Sequence, residues 1–153
     1  MRRTSALTAI LLAATLALAA CGSDSGDSTT GDSGVTVTGE PGVKPTLEIP
    51  DSEPSSELEV EVIEEGDGAE VGTDDFVVAH YLGQTWEPVD GEANIFDNSY
   101  DREEASGFSL NGVIEGWKEG LTGQKVGSRV LLSIPPEQGY GDQDSGSIPA
   151  NST

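Results

Sequence analysis

Strand-like runs surround one short helical stretch in the second half of the chain, and this pattern limits the fold most. Residues 57–62 alternate glutamate with Leu or Val, a period of two that is typical of a half-buried strand with one wet face. Two longer apolar runs span 76–82 and 128–134, and a shorter one spans 108–110. A brief helix is expected from Gly116 to about Leu121. Together they predict an α+β fold, with an antiparallel β-sheet packed on one short α-helix.

The first twenty residues have the features of an export signal. Arg2 and Arg3 precede an apolar stretch of small residues. This stretch is short for a membrane-spanning helix, so a signal peptide is the first interpretation. Leu18-Ala19-Ala20-Cys21 follows and resembles the bacterial lipobox. That resemblance implies cleavage before Cys21, a lipid on its sulfur and a place on the extracytoplasmic face of the cell membrane. An ordinary secretory signal with an incidental cysteine is the alternative.

Residues 21–57 are expected to form a disordered acidic tether. The stretch 23–34 consists of Ser, Asp, Gly and Thr with no apolar residue to bury, and four prolines follow before residue 55. Scattered apolar residues leave a weak docking strand as the alternative: Val35, Val37, Leu47 and Ile49. Because the chain contains a single cysteine, no internal disulfide can stabilise the fold.

Residues 58–153 remain for one small single-core domain. This region has four lysines and arginines against 20 acidic residues, and the whole chain has a formal charge of −21. Nucleic acids and anionic lipid headgroups are therefore poor partners. A solvated surface outside the cell accounts for the acidity, so no cationic substrate is inferred from it.

Two motifs near the end of the chain indicate a pocket for a small apolar ligand. Val113-Ile114-Glu115-Gly116-Trp117 leads a backbone turn into a tryptophan on the helix, and Gly139-Tyr140-Gly141 sets a tyrosine on a loop. An apolar floor with a few aimed polar groups suits such a ligand. No activated nucleophile, zinc ligand pair or phosphate loop accompanies them, so neither a cofactor nor a metal ion is expected.

The ordered set of motifs across residues 58–153 resembles the FK506-binding protein (FKBP) family of peptidyl-prolyl cis–trans isomerases. The matching fragments are Val78-Ala79-His80-Tyr81-Leu82-Gly83, Phe96-Asp97-Asn98-Ser99, Arg102, Val113-Ile114-Glu115-Gly116-Trp117, Gly120-Leu121, Val126-Gly127, Ile134-Pro135-Pro136, Tyr140-Gly141 and Ile148-Pro149-Ala150-Asn151-Ser152-Thr153. The resemblance implies an FKBP-like fold and isomerisation of X–Pro bonds in exported proteins. The implied partners are proline-containing polypeptides, with FK506-like macrolides as inhibitors.

The resemblance also implies a role for each site residue. The catalytic set comprises Tyr81, Phe96, Asp97, Ile114, Trp117 and Tyr140, with Trp117 as the pocket floor. Substrate-binding positions are Val113, Arg102, Phe108 and Ile148. Asp97 is expected to pair with Arg102 and the Tyr81 hydroxyl. The Ile114 backbone N–H and the Tyr140 hydroxyl are expected to contact the substrate carbonyl.

Some residues depart from the family pattern or stay ambiguous. His80 should lie on the opposite strand face from Tyr81 and is interpreted as structural. Ser106 stands where the family often has an aromatic, which predicts a thinner pocket wall. The excursion 84–95 is long, contains an Asp90-Gly91 turn pair, and carries Trp86, which either covers the pocket or caps the sheet.

The family's last strand follows the position of Thr153, so this sequence is expected to lack that strand and to be C-terminally incomplete. The leading function is a lipid-anchored peptidyl-prolyl isomerase. The alternative is a catalytically weak lipoprotein that holds peptides in the same groove. Ser106 and the missing strand favour the alternative, whereas the retained aromatic residues and Asp97 favour the enzyme.

Overall fold

The computed structural model describes residues 28–153. The predicted signal peptide of residues 1–20, the lipidation site Cys21 and the first residues of the expected tether lie outside the described residues. The described chain is built from nine strands and one α-helix. The strands are β1 (Ser28–Thr30), β2 (Thr36–Thr38), β3 (Thr46–Glu48), β4 (Glu59–Glu64), β5 (Phe76–Ala79), β6 (Leu82–Gln84), β7 (Ile95–Asn98), β8 (Ser106–Ser109) and β9 (Arg129–Ser133).

All strand pairs are antiparallel, and one helix packs against them, which confirms the predicted α+β class. The prediction of one sheet differs from the structure, which has a three-stranded sheet, β1-β2-β3, and three two-stranded sheets, β4-β9, β5-β8 and β6-β7. The helix, α1, spans Glu115–Leu121. Short 3₁₀ turns at Tyr100–Arg102 and Pro136–Gln138 complete the regular structure.

Helix α1 packs on β9 through two buried glycines. A Cβ on Gly116 would lie 2.5 Å from Ile134, and one on Gly120 would lie 2.5 Å from Leu132. The absence of side chains on these glycines therefore lets the helix approach the sheet closely. This close packing fixes where Trp117, between them, emerges from the helix.

Strand β4 has the predicted period of two, but the prediction of a buried valine face and a solvent-exposed glutamate face is wrong, because Val60 and Val62 are exposed whereas Glu59 and Glu61 are only partly accessible. Val60 pairs with Leu132 on the helix side and is 39% exposed, as Val62 is 48% exposed. Glu61 lies on the other face and is only partly accessible. The backbone N–H groups of Asp32 and Ser33 donate to its carboxylate at 2.6 and 2.9 Å, so the N-terminal segment covers that face.

The predicted strand 76–82 is divided between two sheets. Strand β5 pairs with β8, whereas β6 pairs with β7. The change of partner occurs at Tyr81, whose N–H donates to Ser99 Oγ at 2.9 Å and whose carbonyl accepts from Ser99 N–H at 3.0 Å. Ser99 is fully buried, so these bonds anchor the chain where the tyrosine leaves the strand.

The structure differs from the expected tether over residues 28–57. Val35 and Val37 are buried, and Val37 pairs with Leu47 across β2 and β3. This arrangement follows the alternative of a docked strand, because alternating Thr and Val residues can form a ladder once their apolar side chains meet a covering surface. Two more contacts anchor the segment: Arg129 donates to the Gly39 carbonyl at 2.6 Å, and the Trp86 indole N–H donates to the Ser52 carbonyl at 2.8 Å.

The excursion between β6 and β7 contains the predicted tight turn. Val89 and Glu92 bond to each other through both backbone N–H groups, and Asp90 and Gly91 between them have φ values of 55° and 83°. Positive φ at both central positions is the signature of a type I′ hairpin turn, which Asp-Gly favours. Across the part of the chain that the structure describes, no helix has the length and apolar character needed to cross a bilayer.

Candidate active site

Three aromatic rings from three different elements meet edge to face and form the main wall of the site. Tyr81 follows β5, Phe108 lies on β8, and Trp117 lies on α1. Their centroids are 5.4 Å apart for Tyr81–Phe108, 5.5 Å for Tyr81–Trp117 and 5.0 Å for Phe108–Trp117, with interplanar angles of 72–84°. The quadrupoles of aromatic rings favour this edge-to-face arrangement, so the three rings form a defined apolar surface.

A carboxylate and a guanidinium border this wall. The Tyr81 hydroxyl donates a short hydrogen bond to Asp97 Oδ2, and Arg102 Nη1 donates to Asp97 Oδ1 at 2.7 Å. Arg102 Nη2 donates to the Tyr81 hydroxyl at 2.9 Å, and the guanidinium carbon lies 5.7 Å from the Tyr81 ring centroid. The three polar groups therefore form a closed ring of hydrogen bonds, as the sequence analysis expected.

The protonation states of this polar ring follow from its contacts. The pKa of Asp97 lies below its ordinary value because the Tyr81 hydroxyl and the Arg102 guanidinium both donate to the carboxylate. The pKa of Tyr81 is raised, first by partial removal from water and second by its hydrogen bond to Asp97. At neutral pH Asp97 is thus an anion and Tyr81 a neutral phenol, so neither group is poised to exchange a proton.

A β-bulge sets the second aromatic pair. Asp97 pairs with Gly83 and Ile95 pairs with Gln84, which leaves Phe96 as the extra residue on β7. A bulge breaks the strict alternation of faces, so Phe96 and Asp97 can both serve one site. The Phe96 ring lies over Gly83, where a Cβ would be 2.5 Å from it, and contacts Tyr140 edge to face at 6.0 Å.

The start of helix α1 presents a free donor. Ile114 occupies the N-cap position, and its carbonyl accepts from Trp117 and Lys118 N–H at 3.1 and 3.2 Å. Its own N–H donates to no acceptor in residues 28–153. Val113 and Ile114 are both partly accessible. Tyr140 is 43% exposed on its loop, and its hydroxyl has no partner in the same described range.

The remaining residues named from the sequence make other contacts. Ile148, which is predicted to bind substrate, is 6% exposed and makes reciprocal backbone bonds to Ser145. His80 stacks on Tyr100 at 5.1 Å and lies 3.1 Å from Ser99 Oγ, away from the aromatic wall, as expected of a structural histidine. Ser106 Oγ accepts from Arg102 at 3.4 Å. Its short side chain adds no ring to the wall.

Trp86 belongs to a different part of the molecule. It is 8% exposed, its indole N–H donates to Ser52, and its backbone N–H donates to the Thr153 carbonyl at 2.8 Å. It has no ring contact with the aromatic residues of the site among the described residues. Of the two alternatives, capping is the one that these contacts support.

A brace that the sequence does not indicate lies behind the polar ring. Lys44 Nζ binds both carboxylate oxygens of Asp101 at 2.7 and 2.8 Å, and Asp101 also accepts from the Asn98 side chain at 2.9 Å. Asn98 in turn accepts from the Asp101 N–H at 2.9 Å. This brace holds the turn that carries Arg102. Asp-Asn pairing three residues apart is a detectable turn signal, but nothing in the sequence relates Lys44 to it.

Comparisons with known proteins agree with this geometry. The family model of FKBP-type peptidyl-prolyl cis-trans isomerase matches residues 68–153, more than half of the chain. A probable FK506-binding protein of Corynebacterium glutamicum is 45% identical over 103 residues, covering 67% of this chain and 84% of that protein. The FKBP-type isomerase FkpA of Escherichia coli K12 is 44% identical over 99 residues, covering 65% of this chain and 35% of FkpA.

Solved structures give the same answer for the fold. The crystal structure of FkpA from Escherichia coli aligns with a TM-score of 0.52 at 43% identity, covering 63% of this chain and 43% of that one. The crystal structure of AtFKBP13 aligns with a TM-score of 0.52 at 30% identity, covering 62% and 83%. The family-model match and the similarity to these relatives show that the chain belongs to the FKBP-type peptidyl-prolyl cis–trans isomerase family.

Proposed function

We propose that this chain accelerates cis–trans isomerisation of X–Pro bonds at the surface formed by Tyr81, Phe108 and Trp117. The observation that carries the proposal is the meeting of these three rings beside the hydrogen-bonded ring of Tyr81, Asp97 and Arg102. A proline ring is a compact apolar group, and an edge-to-face aromatic surface gives it a complementary contact.

The reaction needs no covalent intermediate. Its barrier of about 20 kcal/mol comes from amide resonance, which is lost as the bond twists. An apolar site disfavours the dipolar planar amide relative to the twisted state. The free N–H of Ile114 and the hydroxyl of Tyr140 are the donors that would hold the substrate carbonyl in its twisted position.

Asp97 acts through electrostatics and position in this proposal. Its carboxylate is held by Tyr81 and Arg102, and the lowered pKa keeps it ionised at neutral pH. A fixed negative charge beside the aromatic wall orients the Tyr81 ring and favours the positive end of a rotating amide. The other apolar groups, Phe96 and Val113, would complete the walls around the proline ring.

We further propose that the protein works on exported polypeptides from a lipid anchor on Cys21. The supporting observation is the sequence Leu18-Ala19-Ala20-Cys21 after an apolar stretch with Arg2 and Arg3 at its start. Acylation would hold the domain at the membrane surface. Metabolic labelling with a radioactive fatty acid tests it, with Cys21→Ser as the variant that should lose the label.

A weak peptide-binding lipoprotein is the second candidate, because Ser106 adds only a hydroxyl to the wall. Exchange NMR on a short Ala-Leu-Pro-Phe peptide separates the two functions. The enzyme would raise the cis–trans exchange rate far above that of the free peptide at substoichiometric protein. A binding module would shift the peptide resonances without faster exchange. FK506-like macrolides should compete for the same surface in either case.

A further inference from the structure

A second groove lies away from the aromatic site, between the N-terminal segment and the excursion that follows β6. Its volume is about 640 Å³, within the usual range for ligand pockets. One wall comes from residues 47–53, and the other comes from residues 84–88 with Ala93. Trp86 joins the walls through its indole hydrogen bond to Ser52. None of the aromatic rings of the candidate active site lines it.

The groove combines apolar walls with carboxylates of one sign. Leu47, Ile49 and Pro50 face Trp86 and Pro88 across it. Asp51, Glu53 and Glu87 also line it and are exposed, and no Lys, Arg or His among the described residues does. A ligand that matches both properties carries positive charge beside apolar groups.

The backbone along one wall is available for pairing. Strand β3 is an edge of its sheet, because β2 lies on one side of it and no described strand lies on the other. Beyond β3, the N–H groups of Ile49, Asp51 and Glu53 donate to no acceptor in residues 28–153. An extended peptide can add to an exposed strand edge through main-chain hydrogen bonds, with side-chain pockets supplying selectivity.

We propose that this groove binds an extended polypeptide segment that carries lysine or arginine beside apolar residues, independently of proline. The carboxylates would pair with the cationic side chains while Leu47, Ile49 and Trp86 contact the apolar ones. Half of the groove lies before residue 68, outside the part of the chain that matches the family model. The binding site is therefore a feature of this chain's N-terminal segment docked on the domain.

The two sites sit on the same hairpin. Gly83 of β6 supports the Phe96 ring, and the next residue, Gln84, already lines the groove. A client chain held in the groove would therefore stay beside the aromatic site, and its prolines would reach that site at a raised local concentration. The binding itself does not rest on the proposed isomerase activity.

The two tryptophans of the chain report the two sites separately in an NMR titration of the full-length protein. Trp86 lies in the groove and Trp117 lies in the candidate active site. The probe is a proline-free Lys-Leu-Lys-Val-Lys-Leu-Lys peptide. We expect a saturable shift of the Trp86 indole resonance and little change at Trp117. Peptides with Glu or Ser in place of Lys, or with Ser in place of Leu and Val, should bind at least about tenfold more weakly.

Charge variants distinguish a built groove from general attraction to an acidic protein. Asp51→Asn, Glu53→Gln and Glu87→Gln together should weaken the peptide at least about tenfold. The matched control removes three charges outside the groove, with Glu40→Gln, Asp67→Asn and Glu104→Gln, and should retain most of the affinity. An unmoved Trp86 resonance, or equal weakening by both triple variants, would overturn the proposal. Isomerase activity in either triple variant is measured separately and does not decide it.

Discussion

The Tyr81 hydroxyl donates a hydrogen bond to Asp97, and the Arg102 guanidinium contacts both groups. Tyr81 is at once an edge-to-face partner of Trp117 and a donor to the carboxylate. This double contact couples the apolar wall to the polar ring, so a change in either part should alter the other. It also sets the ionisation state of the site, with an anionic Asp97 and a neutral tyrosine.

Replacing Trp117 in the aromatic wall should abolish most of the activity. We expect Trp117→Ala to lower kcat/KM for a proline peptide by more than about tenfold, equivalent to about 1.4 kcal/mol of transition-state stabilisation. The loss removes the ring that contacts both Tyr81 and Phe108. Phe76→Ala is the matched control, since this ring is 68% exposed on β5 and outside the site. Equal rates for Trp117→Ala and the unaltered protein would remove Trp117 from the mechanism.

Neutralising the carboxylate should change both the rate and the titration of the tyrosine. With Asp97→Asn we expect more than about tenfold slower isomerisation. We also expect a lower Tyr81 pKa, because the anionic acceptor that helps hold its proton is gone. NMR of the tyrosine ring carbons against pH measures the second effect. Asp67→Asn, at an exposed carboxylate outside the site, is the control. A Tyr81 pKa that stays the same in Asp97→Asn would contradict the coupling.

Docking of the N-terminal segment should depend on the ionisation of Glu61. Partial burial tends to raise the pKa of Glu61, but the hydrogen bonds from Ser33 and Asp32 outweigh it, and the net shift is downward. A lowered pKa means that the carboxylate stabilises the fold fully above the ordinary glutamate pKa of about 4.3 and loses this effect as pH falls through its own value.

Amide NMR shifts of Asp32 and Ser33 against pH follow this step directly. We expect them to stay constant above about pH 5 and to change with a midpoint below about 4.3. In Glu61→Gln the same transition should disappear, while Glu59→Gln should leave it in place. A midpoint above the ordinary glutamate value would contradict the hydrogen-bonded carboxylate.

The brace between Lys44 and Asp101 should contribute little to stability. Both side chains are substantially exposed, and exposed ion pairs contribute about 0–1 kcal/mol. Lys44→Met should therefore lower the free energy of unfolding by less than about 1 kcal/mol in urea titrations. Lys44→Arg should behave as the unaltered protein does. A loss of several kcal/mol in Lys44→Met would indicate that the N-terminal segment is held mainly through this contact.

Much of the fold and the grouping of site residues could be predicted from local patterns. The helix at Gly116–Leu121, the strand at 128–134 and the Asp90-Gly91 turn each follow from spacing and turn chemistry. The order of the family motifs along the chain predicts the ring of Tyr81, Asp97 and Arg102. Spacing, turn chemistry and motif order are properties of neighbouring residues or of their order along the chain, so they can be identified in a single sequence.

The remaining features depend on contacts between distant segments. The period-two pattern predicts a solvent-exposed Glu61, because such a pattern does not indicate what covers the polar face. In the structure, residues 32 and 33 cover it. The segment 28–57 has a composition typical of disorder, yet its few apolar residues form a ladder on the domain. The groove around Trp86 also depends on a contact between distant segments and is not predicted by the sequence, because its two walls are more than thirty residues apart.

Catalysis of X–Pro exchange is tested most directly by two-dimensional exchange NMR on Ala-Leu-Pro-Phe with a few per cent of the full-length protein. We expect cis–trans exchange to become fast relative to the free peptide, whose isomerisation takes tens of seconds or longer at about 25 °C. The acceleration should fall at least about tenfold with Trp117→Ala. A well-dispersed protein spectrum with the peptide exchange rate unchanged would contradict the account.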